Sequence, residues 1–156
     1  MPKHSKKVSM LLIIDVQNDF FQPGGSLGVQ GAPDIVPVIN SLRQFKFDMV
    51  VQAVDWHPYN HCSFSSNNPG AAKFSTINLP LAGPQTMWPD HCIQDTRGSA
   101  FHKDLLVEAT DVVVRAGINP HSDSYSAFRD NIGHVSRAEC LIERGWGCDV
   151  GWSSHR

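Results

Sequence analysis

At 156 residues and 17.2 kDa the chain is one domain's worth of sequence, long enough to bury about 70% of the surface its unfolded form exposes without help from disulfides or metals. A hydrophobic content of 41% argues against intrinsic disorder, and a net charge of −2 lacks the basic footprint of a nucleic-acid binder. The apolar run from Met10 to Ile14, closed by Asp15, is far shorter than the ~20 residues of a membrane span.

In chain order, Lys3, Lys6 and Lys7 make residues 1–7 a short basic tail with no signal-peptide pattern behind it. Val8 to Val16 is a continuous aliphatic run ending in Asp15, the pattern of a strand buried on both faces of a parallel sheet. An Asp at the carboxyl end of such a strand faces the ligand crevice of an open α/β sheet. A Gly- and Pro-rich turn follows, after which Asp34 is expected to cap a helix reaching about Lys46. Ile35, Val38, Ile39, Leu42 and Phe45 would form its apolar stripe. Asp48 to Asp55 reads as a second strand, completing a βαβ unit.

Trp56 to Gly98 is polar and Pro-punctuated, and a connection that long inside a compact domain is usually functional. A short helix over His102 to Glu108 and a third strand over Asp111 to Arg115 are expected next. An amphipathic stretch from about Ser136 to Arg144 then leads into a Gly- and Trp-rich end. The fold class is therefore α/β, a doubly wound parallel sheet flanked by helices. Cys62, Cys92, Cys140 and Cys148 have no CxxC spacing and read as the reduced thiols of a cytoplasmic protein. Twelve of the fifteen acidic residues are Asp, the carboxylate of turns and short-reach ligands, so a loop-rich active face is expected.

Asp55 and His57, two apart at a strand end, leave the backbone on the same face and can present two ligands to one divalent ion. His61 and His91 supply further imidazoles. Three N/O ligands with open positions suit zinc, and iron or manganese would accept the same set. Eight histidines in the chain also make chance clusters common. Asp15 is either a catalytic group or a structural acceptor, and Trp56 and Trp88 read as core or pocket wall.

Four strings occurring in order, LLIIDVQNDFFQPGGSL, DWHPYNHCSF, GPQTMWPDHCIQDTRGSAFH and NPHSDSYSAF, resemble the nicotinamidases, within the isochorismatase-like cysteine hydrolases. The resemblance runs from about Met10 to Asn131. It implies that Asp15 is the triad aspartate that takes a proton from a cysteine nucleophile. It implies that Asp55, His57 and His91 hold the metal, with His61 an additional ligand or a residue just outside it. It further implies that Phe20, Trp88 and Tyr125 line the slot for a pyridine ring. The implied activity is conversion of nicotinamide and water to nicotinate and ammonia in NAD salvage, with one divalent metal ion, zinc first, as cofactor. Nicotinamide is the small-molecule partner, a pyrazine carboxamide would fit by shape, and no nucleic-acid or membrane partner is implied.

The sequence departs from the family in two places. The third strand should end in a lysine followed by Gly, and here Ala116 holds the lysine position, with Arg115 one residue away and aimed at the opposite face. The family's nucleophilic cysteine lies beyond a fourth strand, for which no string is found. Cys148, amid Gly and Trp with no helix after it, is a poor stand-in. Cys62 and Cys92 read as packed, structural thiols. Two readings follow: an amidohydrolase, or a metal- and pyridine-binding protein without catalysis, from a truncated or altered C-terminus. Residues 8–156 are then a single isochorismatase-like domain lacking its final strand–helix segment, expected to expose a sheet edge and to self-associate.

Overall fold

A computed structural model of the chain describes residues 8–134 and 136. The expected basic tail, all but the first residue of the stretch from Ser136 to Arg144, and both Cys140 and Cys148 lie outside the described residues.

The apolar runs become three parallel strands of one sheet. β1 (Met10–Ile14) is followed by α1 (Ala32–Leu42) and β2 (Met49–Asp55), and β2 stands between β1 and a later strand, Val112–Ala116. Register pairs Met10 with Met49, Ile14 with Ala53, and Asp55 with Ala116. Asp15, Asp55 and Ala116 therefore end up side by side at the carboxyl ends of the strands. The α/β class with a parallel sheet holds.

Each sheet face carries an apolar core, which is why these strands read as unbroken apolar runs rather than alternating ones. Leu11, Ile13 and Val50 face a core shared with Val16, Phe21, Val36, Ile39 and Leu105. Met10, Leu12, Val51, Ala53 and Val114 face a second core closed by Ala127 and Phe128. Successive side chains alternate between the two, as the pleat requires.

α1 differs from expectation in its boundaries and in the face it buries. It starts after Gly31, which has φ 78°, with no side-chain cap, so Asp34 sits inside the first turn instead of capping it. Val36 and Ile39 are buried, while Ile35, Val38 and Leu42 of the expected stripe are exposed, as is Phe45 beyond the helix. Polar anchors set this rotation. Asn40 Nδ2 donates to the Asp104 carbonyl at 2.8 Å, and its Oδ1 accepts the Leu106 N–H at 2.9 Å. Arg43 makes a two-pronged pair with Asp111 at 2.8 and 2.9 Å, and the two side chains are only 5% and 1% exposed. Asn40 also takes backbone groups that a helix over His102 to Glu108 would use, and that segment forms turns, with Leu105 reaching the core.

The long connection from Trp56 to Gly98 carries an antiparallel hairpin, β3 (Thr76–Leu79) and β4 (Gly83–Thr86), which the weak periodicity did not signal. The third sheet strand, β5 (Val112–Ala116), follows it. Among the described residues no helix is long and apolar enough to cross a membrane.

Candidate active site

The end of β2 delivers Asp55 and, two residues on, His57. The loop bearing His91 is stitched to them by backbone bonds: His57 N–H donates to the Cys92 carbonyl at 3.0 Å, and Gln94 N–H donates to the His57 carbonyl at 2.9 Å. Cys92 itself has φ 45°, held by its N–H donating to Asp19 Oδ2 at 2.8 Å. As a result Asp55 Oδ2 lies 3.5 Å from His57 Nε2 and 3.7 Å from His91 Nε2, with all three side chains at most 15% exposed.

The other nitrogen of each ring is engaged. His57 Nδ1 lies 2.9 Å from the Gly117 carbonyl and His91 Nδ1 lies 2.7 Å from the Pro89 carbonyl. A carbonyl can only accept, so each Nδ1 carries a proton and each Nε2 is turned toward Asp55, the orientation that carbonyl partners give to metal-binding histidines. The three ligand atoms lie within 4.8 Å of one another. This donor set fits a divalent ion. Burial opposes the charge on Asp55, but the hydrogen bonds from His57 and His91 outweigh it and hold the carboxyl at about 2.

His61 is brought close yet turned elsewhere. Its Nε2 lies 3.3 Å from the Ser122 carbonyl and its Nδ1 lies 2.8 Å from Ser63 Oγ, and it groups with His57 and Asp123 rather than with Asp55. Burial, and then the charge on His57, push it down to about 4. Phe64, fully buried, sets its ring 5.5 Å from each of His57, His61 and His91 and fills the space behind them.

In front of the cluster opens a cavity of about 410 Å³, within the range of small-molecule sites, whose lining includes Asp15, Asp55 and His91. Phe20, Trp88 and Tyr125 line it as well. Asp15 sits just past β1 with φ 57°, a conformation costly for a residue with a Cβ, and donates its N–H to the Ala53 carbonyl at 2.9 Å. Burial first, and then the negative charge of Asp55, raise its carboxyl to about 7. Ala116 also lines the cavity, whereas Arg115 points away and lies 4.1 Å over the Trp56 ring. The opposite-face expectation for Arg115 therefore holds, and Trp56 serves as its platform. Cys92 is fully buried and Cys62 half-buried.

Sequence reasoning missed Gln17. Wholly buried, it accepts the Asp55 N–H at 2.8 Å and donates to the Asp55 carbonyl at 2.7 Å and the Ser99 carbonyl at 2.9 Å. Its place two residues after Asp15 is the one available hint. Phe64, Gln85 and Asp123 were also passed over.

Strand-end carboxylates beside an imidazole pair, opening on a walled cavity at the carboxyl edge of a parallel sheet, define a hydrolase-like α/β protein with a site suited to a metal. No protein-family model matches the chain. Individual proteins do. It is 46% identical over 137 residues to a nicotinamidase of Acinetobacter baylyi, a match covering 86% of this chain and 63% of that one. It is 33% identical over 147 residues to a Schizosaccharomyces pombe nicotinamidase, covering 90% and 67%. Among solved structures, an Acinetobacter baumanii nicotinamidase and pyrazinamidase superposes with a TM-score of 0.79 at 45% identity, covering 88% of this chain and 66% of that one. A Pyrococcus horikoshii pyrazinamidase solved in complex with zinc gives a TM-score of 0.62 at 31% identity, covering 87% and 64%. The chain belongs to the nicotinamidase family, and it shares its fold with an isochorismatase-like hydrolase of Alkaliphilus metalliredigens. It spans less than two thirds of the length of the Acinetobacter baylyi relative.

Proposed function

We propose that this chain acts on nicotinamide, hydrolysing it to nicotinate and ammonia at a site built from Asp15, a metal held by Asp55, His57 and His91, and a slot walled by Phe20, Trp88 and Tyr125. The observation that carries the reading is the convergence of these residues, drawn from four separate stretches of sequence, on one cavity or directly behind it. Zinc is the leading ion, since a zinc-bound relative shares the fold, and iron or manganese suits the same donors. Such an ion, when bound, supplies a fixed Lewis acid for orienting a heteroaromatic ring.

The chain's own residues do the rest. Phe20 and Trp88 on the cavity wall supply apolar surface for a flat ring and exclude water. Asp15, held near 7 by burial and by Asp55, accepts a proton at neutral pH from a thiol attacking the carboxamide carbon. Ammonia then leaves and water cleaves the thioester. Neither described thiol suits the attack: burial lifts Cys62 to about 11 and Cys92 higher still. The reading therefore requires a thiol from outside the described residues.

Ala116 on the cavity wall favours a second reading, a protein that binds the metal and the pyridine without turnover, because the lysine of the family pattern is replaced there by a side chain with no charge. Two measurements on zinc-loaded protein separate the readings: calorimetric titration with nicotinamide, and ammonia release. Binding with turnover lost in Asp15→Asn supports the first reading, and binding without turnover supports the second. No binding by protein that holds zinc overturns both.

A further inference from the structure

Tyr125 presents a problem of restraint. The residue is 60% exposed, so packing does not hold its ring against the cavity. Its hydroxyl oxygen is held instead: Gln85 Nε2 donates to it at 2.8 Å and Trp88 Nε1 at 3.1 Å. Gln85, on β4, is only 1% exposed, and the two hydrogens of its Nε2 are shared among the Tyr125 hydroxyl, Asp123 Oδ2 at 2.9 Å and the Thr86 carbonyl at 2.9 Å. Those acceptors fix the amide's orientation, since turning it over would set Oε1 against a carboxylate and a carbonyl. Asp123 is anchored in turn, its Oδ1 accepting the Ser124 N–H at 2.8 Å. The hairpin is thereby tied to the loop that carries Tyr125.

We infer that Gln85 is a positioning residue of this site: its buried amide, gripping Asp123 and the Tyr125 hydroxyl together, fixes an otherwise unpacked ring as a preformed wall for a flat heteroaromatic ligand. The inference rests on the nicotinamide reading for the identity of the ligand, and the link between Gln85 and Tyr125 stands apart from it. Ordering a free aromatic side chain at binding costs affinity that a preset wall avoids, and the expected size is about three- to tenfold.

The test is a double-mutant cycle on zinc-loaded protein, with nicotinamide affinity read by calorimetry. Gln85→Leu and Tyr125→Phe should each weaken binding about three- to tenfold. The double variant should bind no worse than Tyr125→Phe alone, with zinc content unchanged in all. Additive losses, or undiminished binding by Gln85→Leu, would overturn the inference. The chain has two tyrosines, so 3-fluorotyrosine labelling gives a second readout, assigned with Tyr59→Phe. Gln85→Leu should shift the Tyr125 fluorine resonance and leave that of Tyr59 in place. An unmoved Tyr125 resonance overturns the inference even where no nicotinamide binds, an outcome that would itself defeat only the proposed function. Gln85→Met, of similar length and without a donor, runs through the same measurements if Gln85→Leu does not fold.

Discussion

Gln17 grips the backbone of Asp55 at both ends of the residue, accepting its N–H at 2.8 Å and donating to its carbonyl at 2.7 Å. The side chain thus completes the hydrogen bonding of β2 where the ladder with β1 has ended. It also fixes the backbone from which a metal-facing carboxylate projects. Gln17→Leu leaves buried groups on Asp55 and Ser99 without partners, and a loss of about 1–3 kcal/mol is expected. Zinc affinity, read by competition with a chelating dye, should fall about 10- to 100-fold, as for other residues that orient ligands. Unchanged affinity would show that Asp55 is held by its strand alone.

Gly117 should not tolerate a side chain. It has φ 62°, and a Cβ there would overlap the ring of His57, whose Nδ1 is bound to the Gly117 carbonyl. Gly117→Ala therefore strains the backbone and displaces the imidazole. Thermal denaturation should show destabilisation of about 1–3 kcal/mol, and elemental analysis should show reduced zinc content. A variant with full zinc content would contradict the placement of His57.

Acid should weaken the Arg43–Asp111 pair. Burial alone would raise the Asp111 carboxyl, but hydrogen bonds from Arg43 and Gln52 outweigh it and hold the group below its ordinary 3.8. A folded-state value below the unfolded one gives stability that is complete above the unfolded value and lost as pH falls through the folded one, hence below about pH 4. Asp111→Asn removes the buried partner charge and leaves Arg43 with the exposed Glu108 at 3.5 Å, at a cost of up to about 3 kcal/mol near neutrality. Urea unfolding at pH 7 and pH 3 should show the variant's deficit shrinking in acid. A deficit that does not change with pH would remove the ion pair from the account.

Cys62 and Cys92 should resist alkylation. With its thiol at about 11, raised by burial and then by Asp123, Cys62 is roughly 0.03% thiolate at pH 7.5, and the thiolate is the reactive form. Cys92, wholly buried among carboxylates, is further suppressed. Peptide mass spectrometry after native iodoacetamide treatment should find both unmodified, and urea should release both. Rapid native labelling of either would mark it as an activated thiol and a rival for the nucleophile.

The sequence alone determined those features that repeat with a short period or end a run. Unbroken aliphatic stretches specify strands buried on both faces, and the residues closing them, Asp15 and Asp55, must then sit at the carboxyl edge. The two-residue period likewise separates Ala116 from Arg115 and sets His57 with Asp55. The tertiary structure decided whatever depends on single hydrogen bonds between distant residues. The rotation of α1 was set by Asn40 and Arg43, 64 and 68 residues from their partners Asp104 and Asp111, against the apolar stripe that periodicity favours. The grip of Gln17 on Asp55 and of Gln85 on Tyr125 spans 38 and 40 residues. Such bonds leave no pattern in the chain, because one donor meeting one acceptor has no repeat. Their partners become neighbours only after burial of the two sheet faces has brought the strand ends together.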